Sequence, residues 1–322
     1  METKTGADVA AVAELSDRLR GAIATVIEGK TDAIDMSLAV LLAGGHLLIE
    51  DVPGVGKTML ARTLARAVDC TARRIQFTAD LLPTDITGVS VFNPDTREFQ
   101  FKPGGVFANL VSGDEINRAS PKTQSALLEA MAESRVSVDG VTHELPTPFM
   151  VVATQNPIEM QGTYPLPEAQ RDRFMISMSM GYPARGAELE MLDRHSASDP
   201  LSELRPVTDA AGIVLAKEAV REVFLHPKLK EYVVTLLERT RTSELLRLGA
   251  SPRAGLHLTR AARARAAMQG RGYVVPEDVS SLAVAALAHR VLLSPLTMQA
   301  SHRTPSDVLA ELVAEVPTPR RT

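Results

Sequence analysis

Glu50-Asp51-Val52-Pro53-Gly54-Val55-Gly56-Lys57-Thr58 follows the apolar run 47–49 and precedes a stretch where Leu60, Leu64 and Val68 recur at helical spacing. A buried strand that enters a glycine-bearing turn and leaves by a helix forms a phosphate cradle. Backbone N–H groups at the helix start face the anion, Lys57 reaches the outer phosphates, and the Thr58 hydroxyl meets a magnesium ion. The general pattern G-x-x-x-x-G-K-[ST] has glycine where this chain has Asp51. The candidate nucleotide contacts in this loop are Asp51, Val52, Pro53, Gly54, Val55, Gly56, Lys57, Thr58 and Met59.

Outward from the loop, short apolar or alternating runs at 74–77, 110–113, 149–154 and 175–180 are separated in several places by helical patterns. That alternation predicts an open, mainly parallel sheet covered on both faces, an α/β core. Before the loop, Val12, Leu15, Leu19, Ile23 and Val26 mark one helix and residues 36–42 a second. Two hairpins interrupt the pattern: 89–92 and 99–102 flank Asn93-Pro94-Asp95-Thr96, while 135–138 and 141–144 flank Asp139-Gly140. Protrusions of this kind serve either as partner contacts or as loops decorating a core.

From Tyr182 the composition changes, with Pro183, Gly186, Pro200 and Pro206 punctuating a connecting segment. Beyond it, Leu229, Tyr232, Val233, Leu236, Leu237 and Thr240 share one helical face, and Ser251-Pro252 and Pro276-Glu277-Asp278 each open a helix. The expected organisation is N-terminal helices and nucleotide-binding core over 1–182, a connector over 183–205, an almost wholly helical lid over 206–315, and a frayed tail over 316–322.

The chain of 322 residues, 45% hydrophobic and 23% charged, has an ordinary globular composition. No run of about 18 uninterrupted apolar residues predicts a membrane span. The start lacks a basic region followed by an apolar one, so the expectation is a cytoplasmic protein. Cys70 is the only cysteine and reads as packing for the helix that leaves the loop, and the seven histidines show no metal-ligand spacing. A net charge of −4 gives no general attraction to nucleic acid, and none is expected as a partner.

Asp114 and Glu115 stand at the end of the run 110–113, 114−57 = 57 residues after Lys57, at the expected opening of a helix. One reading makes them solvated acids. The other gives ATP chemistry its two carboxylates: Asp114 holds magnesium and Glu115 polarises the attacking water. Asn156 ends the run 149–154 beside Pro157, either as a turn residue or as a contact to the water and γ-phosphate, because ligands gather at the C-terminal edge of an open parallel sheet.

Together, Asp114-Glu115-Ile116-Asn117-Arg118-Ala119, Pro121-Lys122-Thr123-Gln124, Leu127-Leu128-Glu129-Ala130-Met131, Ala153-Thr154-Gln155-Asn156-Pro157, Leu166-Pro167-Glu168-Ala169-Gln170 and Asp172-Arg173-Phe174 resemble the signature of the MoxR family of AAA+ ATPases. The resemblance runs from about Gly21 to about Leu293, and Asp51 is similar to what the family shows. It implies an AAA+ core with two hairpin inserts and a helical lid, ATP and Mg2+ as cofactors, and a homo-oligomeric ring, hexameric when active. It further implies chaperone-like work on client proteins, including partners with von Willebrand factor A domains and steps of metal insertion.

Arg173 matches the family's arginine finger, donated to the ATP of the neighbouring subunit, and Arg253 its second sensor. Arg171 departs from the family's apolar residue and remains an alternative finger, and Arg173 paired with Asp172 or Glu168 on the surface remains the bland alternative. Arg253 falls in the first turn of a lid helix, where a cation is mildly unfavourable unless an anion is near. A solvated arginine is the competing reading. Two other functions stay open: a motor subunit like that of magnesium chelatase, which shares the inserts, and a nucleotide-gated scaffold with little turnover. Sigma-54 activators need a Gly-Ala-Phe-Thr-Gly-Ala loop that the first hairpin lacks.

Overall fold

The computed structural model describes residues 2–156, 162–183, 185–186, 188–189, 199–300 and 302–319, with the side chains of 2–7 and 300 outside the description. Pro157, much of the connector and the last three residues of the tail lie outside the described residues.

Five parallel strands form the central sheet: β1 (Leu47–Glu50), β2 (Ala72–Gln76), β5 (Leu110–Asp114), β8 (Met150–Gln155) and β9 (Ile176–Met178), ordered β2-β5-β8-β1-β9. β1, carrying the loop, is central because Leu47, Leu48 and Ile49 are fully buried and need cover on both faces. Strand alternation then sorts the side chains. Leu47, Ile49, Leu110, Met150 and Val152 enter one apolar cluster, while Leu48, Val111, Val151 and Ala153 enter the other.

The first cluster is covered by α1 (Glu2–Ala24), α2 (Thr31–Ala43) and α3 (Lys57–Ala67), and the second by α4 (Pro83–Thr87) and α5 (Pro121–Glu133). Val12, Leu19 and Ile23 of α1 are buried, as their spacing requires. Cys70 lies just beyond α3, with its Sγ 3.8 Å from the Ala65 carbonyl, and burial pushes its thiol up to about 11. It therefore packs as an unreactive thiol.

Both hairpins form. β3 (Gly88–Asn93) pairs with β4 (Glu98–Pro103), and β6 (Arg135–Val138) with β7 (Val141–Glu144). Asp139 and Gly140 both take positive φ, 51° and 78°, the tight two-residue turn that matches strand twist. The hairpins meet where Phe101 stacks on His143, centroids 3.8 Å apart, and the first exposes Phe92 and Phe99 in an edge-to-face pair.

After α6 (Glu168–Arg171) and α7 (Pro200–Glu203), the C-terminal region contains α8 (Ala210–Glu222), α9 (Pro227–Thr242), α10 (Pro252–Met268), α11 (Pro276–Leu287), α12 (Pro295–Ala300) and α13 (Pro305–Glu315). The predicted face of α9 is its buried face, residue for residue. Leu258, Ala261 and Leu282 of this region join the same cluster as Leu38 and Leu42 of α2, so these helices pack on the core through one continuous apolar interior.

The sequence expectations need four corrections. The C-terminal region is not purely helical: β10 (Leu246–Leu248) pairs antiparallel with β11 (Leu292–Leu293), where buried Leu246 anchors a short ladder after α9 ends. The helix at Pro276 is not capped as the one at Pro252 is. Ser251 Oγ accepts from Ala254 N, whereas Val275 has no capping side chain and its own N–H donates to Asp278 Oδ2 at 2.9 Å. The Asp114-Glu115 pair opens only a 3-10 turn, Ile116–Arg118, because Glu115 sits at φ 58° and the Ser120-Pro121 cap starts α5 later. β9 stops at Met178 because Ser179, Met180 and Gly181 turn to serve Asp51.

Candidate active site

Because the sheet is parallel, all its strands deliver their C-terminal ends to one edge. Gln76 is level with Asp114, Gly113 with Ala153, and Glu50 with Gln155, so the loop after β1 opens beside the ends of β5 and β8. Gly54 and Gly56 take φ 85° and 92°, a left-handed backbone that L side chains avoid, and Gly56 is the residue from which α3 starts. Lys57 Nζ folds back onto the loop, donating to the Asp51 carbonyl at 2.5 Å and the Gln155 carbonyl at 3.5 Å. It ties the loop to the β8 end, next to buried Asn156.

Asp51 does something the glycine of the general pattern cannot. Its Oδ1 accepts from Val52 N at 2.8 Å, and its Oδ2 from Ser179 Oγ (2.8 Å), Met180 N (2.7 Å) and Gly181 N (2.6 Å). Burial alone raises a carboxyl's pKa, but these donors outweigh it and hold Asp51 below the usual range. The carboxylate staples the loop to the β9 exit and occupies the Val52 N–H, which leaves the N–H groups of residues 54–56 for an anion. Lys30 Nζ strengthens the same exit by donating to the carbonyls of Met180 (2.6 Å), Gly181 (2.9 Å) and Tyr182 (2.7 Å).

Thr58 Oγ1 donates to Asp114 Oδ2 at 3.0 Å, and Ser112 Oγ to Asp114 Oδ1 at 3.0 Å, which brings loop and carboxylate together as the sequence suggested. Arg74 Nε also reaches Asp114 Oδ2, at 2.7 Å. Glu115 N–H donates to Thr154 Oγ1 at 3.0 Å, which pins the left-handed residue to β8. Its Oε2 accepts from Gln76 Nε2 (3.2 Å) and Arg118 Nη1 (3.1 Å). Sequence reading missed Arg74, Gln76 and Thr154 because each works across strands at a level only the register reveals. Arg118 stands inside the signature run and carried a usable signal, three residues after Glu115.

Beside the loop, Val26, Ile27, Lys30, Met59, Met180 and Leu201 help to line a mostly apolar cavity of about 260 Å³. Its apolar lining, which includes Gly54, Val55 and Gly56 of the loop, suits a heterocycle attached to phosphates there. Among the described residues no group of three His, Cys, Asp or Glu forms a metal cage.

Among the described residues no hydrogen bond or ion pair joins Arg173 or Arg253 to the loop. Among the described residues Arg173 makes no ion pair, and its buried Nε has no partner. The anticipated pairing partner Asp172 is instead bound to Arg290 at 3.1 Å and to Ser251 Oγ at 2.7 Å. Arg171 ends α6, which packs against the 3-10 turn Ala288–Arg290 of its own chain. Arg253 is exposed in the first turn of α10, as its position after Ser251 required.

Three histidines are held neutral. His46 accepts from Val151 N on Nδ1 (3.0 Å) and contacts the Met131 carbonyl through Nε2 (3.0 Å); burial lowers its pKa to about 4. Burial, with the Arg290 charge next, lowers His257 to about 3 and His289 well below its ordinary value. All three folded values lie below the unfolded value, so the unfolded chain binds more protons below about pH 6.5 and stability is lost as the pH falls through that point. Each contributes about 1.4 kcal/mol per pH unit, so the three together weaken the fold by up to roughly 4 kcal/mol per unit between pH 6.5 and 4. We expect Tm to fall by on the order of 10 °C between pH 7.5 and 5.5. A flat profile would rule out neutral burial of the three rings.

Comparison with known proteins follows the same lines. The family model described as ATPase family associated with various cellular activities (AAA) matches residues 46–176, and that of the AAA lid domain matches 238–312. The protein YeaC of Bacillus subtilis is 50% identical over 84% of each chain. Chaperone MoxR1 of Mycobacterium tuberculosis is 43% identical over 84% of this chain and 73% of its own, and protein MoxR of Methylorubrum extorquens 32% identical over 94% of each. The crystal structure of a Cytophaga hutchinsonii protein proposed to be an ATPase superposes with a TM-score of 0.89 at 34% identity over 97% of each chain. The chain is an ATPase with an AAA lid, and it belongs to the MoxR family of AAA+ ATPases.

Proposed function

We propose that this chain works as a ring of identical subunits, hexameric when active, that uses ATP hydrolysis to remodel, mature or activate client proteins in a chaperone-like way. The observation that carries the reading is the incompleteness of the single chain. Lys57, Thr58, Asp114, Glu115 and Asn156 converge at one sheet edge, while Arg173, which the family pattern makes the arginine finger, has no bond to them and no ion-pair partner of its own among the described residues. The charge of Arg173 would pair with the phosphates of ATP in an adjoining subunit.

In this reading the backbone N–H groups of residues 54–56 and Lys57 hold the phosphates, and the apolar cavity takes the base. Thr58 Oγ1 and Asp114 Oδ2, hard oxygen donors 3.0 Å apart, would hold magnesium. Magnesium, when bound, supplies positive charge to the phosphate oxygens. Glu115 orients and polarises the attacking water, Asn156 contacts that water and the γ-phosphate, and Arg173 arrives from the neighbour. Arg253 reports nucleotide state to the lid over 206–315, and the hairpins over 89–102 and 136–145 face the pore or one face of the ring.

Family membership and the chaperone description of the M. tuberculosis relative support a protein client. We extend the proposal to partners with von Willebrand factor A domains, to metal insertion as one outcome, and to action in the cytoplasm. No described helix is long and apolar enough to cross a membrane. The test is capture. A Glu115→Gln ring stalled in ATP should retain its client, and the same ring in ADP should release it. Equal retention in both nucleotides would remove the ATP-driven reading.

A further inference from the structure

The segment Asp172-Arg173-Phe174 is gripped from the C-terminal region by a residue that no motif marks. Arg290 ends the 3-10 turn Ala288–Arg290 after α11, and only 3% of it is exposed. Its Nη2 donates to the backbone carbonyls of Asp172, at 3.2 Å, and of Phe174, while its Nε lies 3.1 Å from Asp172 Oδ1. One guanidinium therefore fixes the chain on both flanks of Arg173.

The other half of the fork belongs to the helical region. Nη1 donates to the Ala286 carbonyl at 2.7 Å, and Nη2 also reaches His257 Nδ1 of α10 at 2.6 Å. Asp172 Oδ1 accepts in addition from Ser251 Oγ at 2.7 Å, the hydroxyl that caps α10 one turn from Arg253. A buried cation is expensive, and a packed apolar residue would serve bare stability as well. Only a planar, multiply donating group spans three carbonyls, a carboxylate and an imidazole from one point.

We infer that Arg290 is a positioning residue for Arg173, coupling the pose that Arg173 offers to the neighbouring subunit to the placement of α10 in its own chain. The lid that closes on one nucleotide thereby sets the arginine presented to the next. The inference rests on Arg173 acting in trans, and its test separates the two claims.

Arg290→Gln alone should lose turnover by roughly 10²-fold, the scale of a misplaced catalytic group, while its affinity for a fluorescent ATP analogue stays within about twofold. It is then co-assembled with Glu115→Gln or with Arg173→Ala. A defect in the pose of Arg173 is repaired by the first partner, whose own Arg173 serves the intact Glu115 of the Arg290 variant. The second partner supplies no finger and should give no recovery. Recovery with Arg173→Ala, recovery with neither, or wild-type turnover of Arg290→Gln alone each overturns the inference.

The pair Arg173→Ala with Glu115→Gln is the control. If that pair recovers nothing despite co-assembly, Arg173 is not a trans finger and the inference falls with it. If Arg290→Gln fails to fold, Asp172→Asn, which keeps the volume and the gripped carbonyl, passes through the same scheme with the same expected pattern.

Discussion

Replacing Glu115 with glutamine is expected to leave ATP bound while turnover falls by about 10²–10⁴-fold, the usual size of a lost general base. Glutamine matches the volume and can still accept from Gln76 or Arg118, so the site keeps its shape and loses only the charge that polarises water. The backbone supports the assignment. Glu115 sits at φ 58° and ψ 50°, a left-handed conformation uncommon for a residue with a side chain, and the Thr154 hydroxyl accepts its N–H. Such a constraint, on the residue directly after a carboxylate that already bonds Thr58, fits a water-facing acid better than a solvated one. Lys57→Ala is the contrasting variant, because it removes the cation that now holds the Asp51 and Gln155 carbonyls and should abolish nucleotide binding itself. Nucleotide fluorescence and phosphate release, measured on both variants, separate the effects. Unchanged turnover in Glu115→Gln would falsify its catalytic role and revive the scaffold reading.

What could be read from the sequence was whatever repeats along the chain. Short apolar or alternating runs gave the five strands, a turn dipeptide gave the second hairpin residue for residue, and the spacing from Leu229 to Thr240 gave a buried face. The loop and the acidic pair were legible because each is contiguous. What stayed hidden is lateral. Gln76 meets Glu115, and Arg74 meets Asp114, only because β2 lies beside β5 in a given register. The departure at Asp51 was visible as a missing glycine, but its purpose depends on three donors of 179–181 that are 128 to 130 positions away. Arg290 was invisible for a different reason: in sequence it is one more cation near a helix end, and its burial against Asp172 is a fact of packing.

Arg173→Ala should lower turnover by about 10³–10⁵-fold, the range of a missing arginine finger, and the loss should be repairable from outside the subunit. The alternatives differ in where the defect lies. If Arg173 merely stabilised its own chain, the variant would be unfolded or dead in any company; but Asp172 is taken by Arg290 and Ser251, and among the described residues Arg173 makes no ion pair with Glu168. If Arg171 were the finger, Arg173→Ala would keep most of its activity and Arg171→Ala would lose it. In a head-to-tail ring each site takes its acid from one subunit and its finger from the next, so an equimolar random mixture of Arg173→Ala and Glu115→Gln makes about a quarter of its sites complete. Two inactive proteins should thus yield up to about a quarter of wild-type turnover when mixed, and none when assembled separately. Recovery must also fall away on dilution below the assembly concentration, since it resides in the interface. Activity that reappears without co-assembly, or fails to appear with it, would place the missing charge somewhere other than Arg173.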